Sequence, residues 1–91
     1  MVERIVTVLN PLGIHARPSR SIVDITLKYK ESNITLYHGN EKGDGKSIME
    51  IMILALVEND EVRVVVDGGN ENDILNNICN SLTAIYKYED N

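Results

Sequence analysis

The stretch Ile5-Val6-Thr7-Val8-Leu9-Asn10-Pro11-Leu12-Gly13-Ile14-His15-Ala16-Arg17-Pro18 decides the fold. Its run of β-branched residues predicts a strand over 5–9. Asn10-Pro11-Leu12-Gly13 ends that strand with turn chemistry. Pro18 then fits the first turn of a helix, where a missing N–H costs little. Ile22, Val23, Ile25, Thr26 and Tyr29 follow at near-helical spacing, which predicts a helix from about Ala16 to Lys28.

The same reading extends along the chain. Asn33–Tyr37 reads as a second strand, His38-Gly39-Asn40 as a hairpin signal, and Glu41–Asp44 as a short, weak third strand or loop. Ser47 is a plausible N-cap for a second helix with Ile48, Ile51, Met52 and Ala55 on one face. Glu58-Asn59-Asp60 makes an acidic turn, Val62–Val66 a fourth strand, and Gly68-Gly69-Asn70 a break. Ile74, Leu75, Ile78, Leu82 and Ile85 predict a third helix from about Glu71 to Tyr86, with Glu89-Asp90-Asn91 frayed. The order βαββαβα suggests a two-layer sandwich, one sheet covered by helices on one face. Alternation within the strands is imperfect and does not pick the solvated face.

Ninety-one residues make one domain, spanning 1–91. With no Trp or Phe, the core must come from Ile, Val, Leu and Met. A formal net charge of −5 argues against nucleic acid as a partner. Cys79 is the only cysteine, so no intramolecular disulfide forms, consistent with a reducing compartment. The longest apolar-rich run, Ile48 to Val57, is interrupted by Glu50 and far short of a membrane span. No signal peptide is visible, and a soluble, cytoplasmic monomer is expected.

His15 is the first candidate for a working residue. A helix opening at Ala16 would place it at an N-terminus, where backbone N–H groups and a partial positive charge favour an anion. Arg17 can add a planar fork of donors to phosphate oxygens. Gly13 lets the backbone come close without a Cβ in the way, and Gly13 and Ala16 are the expected phosphate-loop support. An imidazole has a neutral form available near neutral pH, as a nucleophile must. Spacing alone leaves the alternative of an ordinary surface histidine. His38, in a predicted turn with no neighbouring cation, reads as a solvated turn residue.

Residues Asn10 to Pro18 resemble the active-site signature of HPr, the histidine-containing phosphocarrier family of the bacterial sugar phosphotransferase system. Gly45-Lys46-Ser47-Ile48-Met49-x-Ile51-Met52 is similar to a second segment of that family, at the expected separation. The resemblance implies an α+β open-faced sandwich: a four-stranded antiparallel sheet in the order 1-4-2-3 with three helices on one face. It implies a phosphoryl carrier rather than an enzyme, with no cofactor. His15 would accept a phosphoryl group on Nδ1 from enzyme I, charged by phosphoenolpyruvate, and donate it to an enzyme IIA domain, with Arg17 steadying the phosphate. Apolar Ile48, Met49 and Met52 would form the partner-docking patch. By periodicity Ile48 and Met52 share a core face with Ile51 and Ala55, while Met49 and Ile53 fall off it.

Ser47 has two readings. Ser47-x-x-Glu50 is a capping box, in which each residue satisfies a backbone N–H at the helix start. In Gram-positive relatives the matching serine is phosphorylated by HPr kinase/phosphorylase, slowing transfer and creating a signal for a transcriptional regulator. The family often has glycine where this chain has Glu50, and a carboxylate one turn away would disfavour a phosphate dianion. Ser19-Arg20-Ser21 also departs from the family's small apolar residues. Arg20 would add charge near His15, which leaves open a paralogue of a nitrogen-related or regulatory phosphotransferase chain.

Two other classes compete. Gly43-Asp44-Gly45-Lys46-Ser47 imitates a nucleotide phosphate loop, and Val64-Val65-Val66-Asp67 imitates a magnesium-binding strand. The loop needs glycine at position 40, which is Asn40, and the chain lacks a parallel βαβ core. An interaction module with an inert His15 is the other. No metal site is expected, since two histidines without ligand-spaced Cys or carboxylates give a weak signal.

Overall fold

The computed structural model describes residues 1–86, and the expected fraying of Glu89-Asp90-Asn91 lies outside them. The elements are β1 (Val2–Thr7), α1 (Ala16–Thr26), β2 (Asn33–His38), β3 (Glu41–Asp44), α2 (Ile48–Ile53), β4 (Glu61–Asp67) and α3 (Glu71–Thr83). The four strands form one antiparallel sheet in the order β1-β4-β2-β3, as the resemblance implied.

The register decides the covered face. Leu36 pairs with Val64 and Ile34 with Val66, so these residues project to the same side. Together with Val62 they are buried in one core with Ile22 and Val23 of α1, Ile51 of α2, and Ile74, Ile78 and Leu82 of α3. All three helices therefore cover that face. On the other face Arg63 stands over the Tyr37 ring, 4.0 Å from its centroid, and donates to Glu3 Oε1 at 2.9 Å. Ile5, opposite Arg63, stays exposed there.

Element ends differ from their propensity-based positions wherever a tertiary partner intervenes. The first strand runs over 2–7 rather than 5–9, because β4 supplies its ladder from Val66 back to Glu61. Glu3 and Arg4 are poor strand formers, yet they are carried by that pairing. Residues 41–44 are a strand because the β2 edge pairs with them. Helix α1 stops at Thr26, whose hydroxyl reaches the Gly45 carbonyl at 2.8 Å. Helix α3 stops at Thr83, not Tyr86: Ala84 turns extended (ψ 149°), and the Tyr86 N–H goes to Asn10 Oδ1 at 2.9 Å instead of to a helical carbonyl. Helix α2 ends at Ile53, so Ala55 leaves the expected apolar face and adopts φ +52°. Leu54, not Met52, completes the buried side of that helix.

Burial pushes the Cys79 thiol up and so favours its protonated form, partly opposed by nearby Arg4. Among the described residues no helix is long and apolar enough to cross a membrane.

Candidate functional site

His15 is the N-cap of α1, with extended backbone (φ −92°, ψ −156°), no side-chain capping bond and no acidic residue in the first turn. Its carbonyl accepts from Ser19 N at 3.0 Å, which starts the helical ladder. Pro18 occupies the first turn, where its missing N–H leaves no gap in that ladder. The opening N–H groups of any α-helix point outward along its axis, so those of Ala16 and Arg17 are directed toward the His15 end. His15 is half-buried; Ala16 and Arg17 are exposed.

The loop before His15 is braced from behind. Gly13 has φ +73°, and a Cβ there would stand 2.3 Å from the Leu56 carbonyl oxygen and 2.9 Å from Val57 Cα. Only glycine accommodates both the left-handed backbone and that approach. The next residue, Ile14, donates its N–H to the same Leu56 oxygen at 3.0 Å. The segment leaving α2 therefore lies directly against the histidine loop. Ser19, buried behind the loop, contacts the Ile14 carbonyl at 3.5 Å. Arg20 does not turn to His15: its Nε lies 3.4 Å from Asp24 Oδ1, one turn further along α1.

A family model described as "PTS HPr component phosphorylation site" matches residues 2–84. The chain belongs to the HPr phosphocarrier family of the phosphotransferase system. It is 39% identical over 71 residues to a phosphocarrier protein HPr of Xylella fastidiosa, covering 78% of this chain and 79% of that one. It is 34% identical over 73 residues to HPr of Mycoplasma pneumoniae, covering 80% and 83%. An HPr crystal structure from Thermoanaerobacter tengcongensis superposes with a TM-score of 0.83 at 29% identity, over 90% of this chain and 91% of that one.

Around the second HPr-like segment the details depart from expectation. Ser47 caps α2, its Oγ accepting from Glu50 N at 3.2 Å. The reciprocal half of the capping box is missing: Glu50 Oε1 accepts instead from Asp44 N at 2.8 Å, and the Ser47 N–H donates to the Asp44 carbonyl at 3.1 Å. Asp44 Oδ1 in turn accepts from Lys46 N at 2.9 Å. Ser47 thus lies among two carboxylates. Lys46 does not face a phosphate site. Its Nζ donates to the carbonyls of Tyr29 and Lys30, closing the turn after α1. Together with the all-antiparallel sheet, this removes the nucleotide-loop reading.

The docking candidates divide. Ile48 is half-buried against the core, whereas Met49 (72% exposed), Met52 (43%) and Ile53 (70%) face outward. Met52 therefore joins the apolar surface rather than the core. Leu12 and Val57 are also exposed, and Val57 adjoins Gly13, so this surface continues to the His15 loop.

His38 corrects the solvated-turn reading. As the last residue of β2 it projects inward with Ile34 and Leu36. Its Nδ1 lies 3.0 Å from the Leu54 carbonyl and its Nε2 3.3 Å from Asp60 Oδ2, tying down the turn after α2. Asn10, read from sequence only as a turn residue, is fully buried. Among the described residues no group of three or more His, Cys, Asp or Glu is placed to hold a metal ion.

Proposed function

We propose that this protein carries a phosphoryl group on His15 Nδ1, from phosphorylated enzyme I to an enzyme IIA domain in sugar uptake. The observation that supports this most is the start of α1. It has a histidine as N-cap, no carboxylate in the first turn, and an arginine two residues on. In the transfer, the lone pair of a neutral imidazole attacks phosphorus. The new N–P bond forms as the bond to the donor's leaving group breaks. The helix-end donors and Arg17 then stabilise the phosphate oxygens, at roughly 0.3–1 kcal/mol for the dipole term, enough to hold the group without trapping it. The exposed side chains of Met49 and Met52, flexible and polarisable, suit a surface that docks several partners in turn, with Ile48 anchoring it to the core.

Incubation with enzyme I and labelled phosphoenolpyruvate tests this. The expected product is an acid-labile, base-stable label that is lost in His15→Ala. Folded wild type that takes no label from competent enzyme I would instead be an interaction module with an inert histidine.

Ser47 is a regulatory site that this chain weakens. A phosphate on its Oγ would displace the Glu50 N–H contact and meet the carboxylates of Glu50 and Asp44. Phosphorylation by HPr kinase/phosphorylase should rise severalfold in Glu50→Gly, and equal labelling of the two proteins would overturn this reading. Whether a transcriptional regulator reads the product depends on that step.

A further inference from the structure

We infer that Asn10 is a positioning residue for phosphoryl transfer, acting through the peptide that precedes His15; this rests on the carrier reading of His15. The Gly13–Ile14 peptide is gripped at both of its polar atoms. Its N–H donates to the Leu56 carbonyl at 3.0 Å, and its carbonyl accepts from Asn10 Nδ2 at 2.9 Å. The Asn10 backbone carbonyl also accepts from Gly13 N at 2.8 Å, so backbone and side chain of one residue close the turn. A peptide held at both edges cannot rotate about the chain axis, and the next α-carbon but one is that of His15.

The amide of Asn10 is itself oriented. Its Oδ1 accepts from Tyr86 N at 2.9 Å, across 76 residues of sequence. An oxygen facing an N–H and a nitrogen facing a carbonyl assign the amide one way round. Only the carboxamides of Asn and Gln set an uncharged N–H donor and an oxygen acceptor on two separate atoms of one planar group, and Asn is the shorter. Asn10 is fully excluded from solvent, so water cannot replace either bond without the loop opening. A turn residue serving only local chain reversal would not need this arrangement. Tyr86 reaches Asn10 from the segment after α3, beyond extended Ala84, so the inward placement of Asn10 is tied to the fold rather than to the loop alone.

The consequence is a loop whose aim depends on Asn10. In Asn10→Ala the Gly13 carbonyl loses its donor, the peptide can tilt, and His15 with the α1 terminus no longer holds one attitude toward an incoming phosphorus. Misplacement of about 1 Å is enough to slow transfer by one to two orders of magnitude. Met49 and Met52 on α2 are untouched and only the Leu12 edge of the apolar surface lies in the loosened turn, so the loss should fall mainly on kcat with enzyme I and much less on KM. Phosphorylation by the small donor phosphoramidate, which needs no docking, should slow by a similar factor.

The test compares wild type, Asn10→Ala and Ser32→Ala with both donors, at a temperature where all are folded. Ser32 is equally buried and donates to the Gly68 carbonyl at 2.8 Å at the opposite end of the sheet, so its variant loses a like bond away from the loop. The expected result is a tenfold or greater fall in kcat for Asn10→Ala alone. If Asn10→Ala does not fold, the isosteric Asn10→Asp replaces it, since it sets an oxygen against the Gly13 carbonyl and should slow transfer in the same way. Wild-type rates in the Asn10 variant, or an equal slowing in Ser32→Ala, would overturn the inference and leave the carrier intact. A wild type that takes label from neither donor would overturn the carrier reading, and this inference with it.

Discussion

Helices α1 and α2 both start after a short turn, yet they meet their first N–H groups differently. At α2 a serine caps the end, Glu50 stands in the first turn, and its carboxylate is engaged with the Asp44 amide. At α1 a histidine stands at the N-cap, no acid is in the first turn, and the nearby charge is the Arg17 guanidinium. Helix α3 resembles α2: Glu71 in its first turn accepts from Gly68 N at 2.7 Å and lies 2.9 Å from the Met1 ammonium. Two of the three helix starts therefore carry their own carboxylate, while the third has none in its first turn, as the proposed phosphoryl site requires. On that proposal the same dipole serves stability at two ends and chemistry at the other.

The sharpest way to break this contrast is to disturb the approach to α1. Gly13→Ala puts a Cβ into the Leu56 carbonyl and a side chain at φ +73°. A loss of about 3 kcal/mol is expected by denaturant unfolding, from overpacking plus the left-handed backbone. A loss below about 1 kcal/mol would mean that the loop does not need its brace. Next in size is the capped end. Ser47→Ala should cost about 1 kcal/mol of stability, the ordinary value of an N-cap, while leaving His15 labelling by enzyme I near its wild-type rate. Unchanged stability would show that the Glu50–Asp44 link alone holds that helix start.

The smallest effect is at α3. The Gly68 N–H, then the Met1 ammonium, hold the Glu71 carboxyl below the ordinary glutamate range. Its ionised form is thus favoured in the folded state. That stabilisation is present above the ordinary glutamate value of about 4.3 and is lost as pH falls through the lowered value. Glu71→Gln should flatten the acid limb of the stability curve below about pH 4.3, with little change in slope near neutrality. An identical acid limb in both proteins would remove α3 from the comparison.

Much of the site was legible because its signals are local. His15, the glycine before it and the arginine after it lie within five residues, and Pro18 marks the helix start they flank. Ser47 was legible for the same reason, as a cap is a short-range pattern. The partner of Glu50 was not, because β3 reaches it only after the hairpin has paired with β2. Asn10 is the turn residue its sequence suggests, but its burial, like the inward placement of His38, is not legible there. Each is a polar residue in a turn-forming context, and each is turned inward by partners far along the chain, Tyr86 for one and the 54–60 turn for the other.

By itself the sequence determined the order of elements, the helix that begins at Ala16 and the residues gathered at its start, since β-branched runs, turn residues and helical spacing act over a few positions. Only the tertiary structure decided where β1 and α3 end, which face of α2 is buried, and that the loop before His15 is clamped between Leu56 and Asn10. The ends of β1 and α3 and the Leu56 side of the clamp depend on hydrogen-bond partners 42 to 76 residues apart, and the buried face of α2 on core packing; a buried polar group settles on whichever partner the packed fold brings within reach.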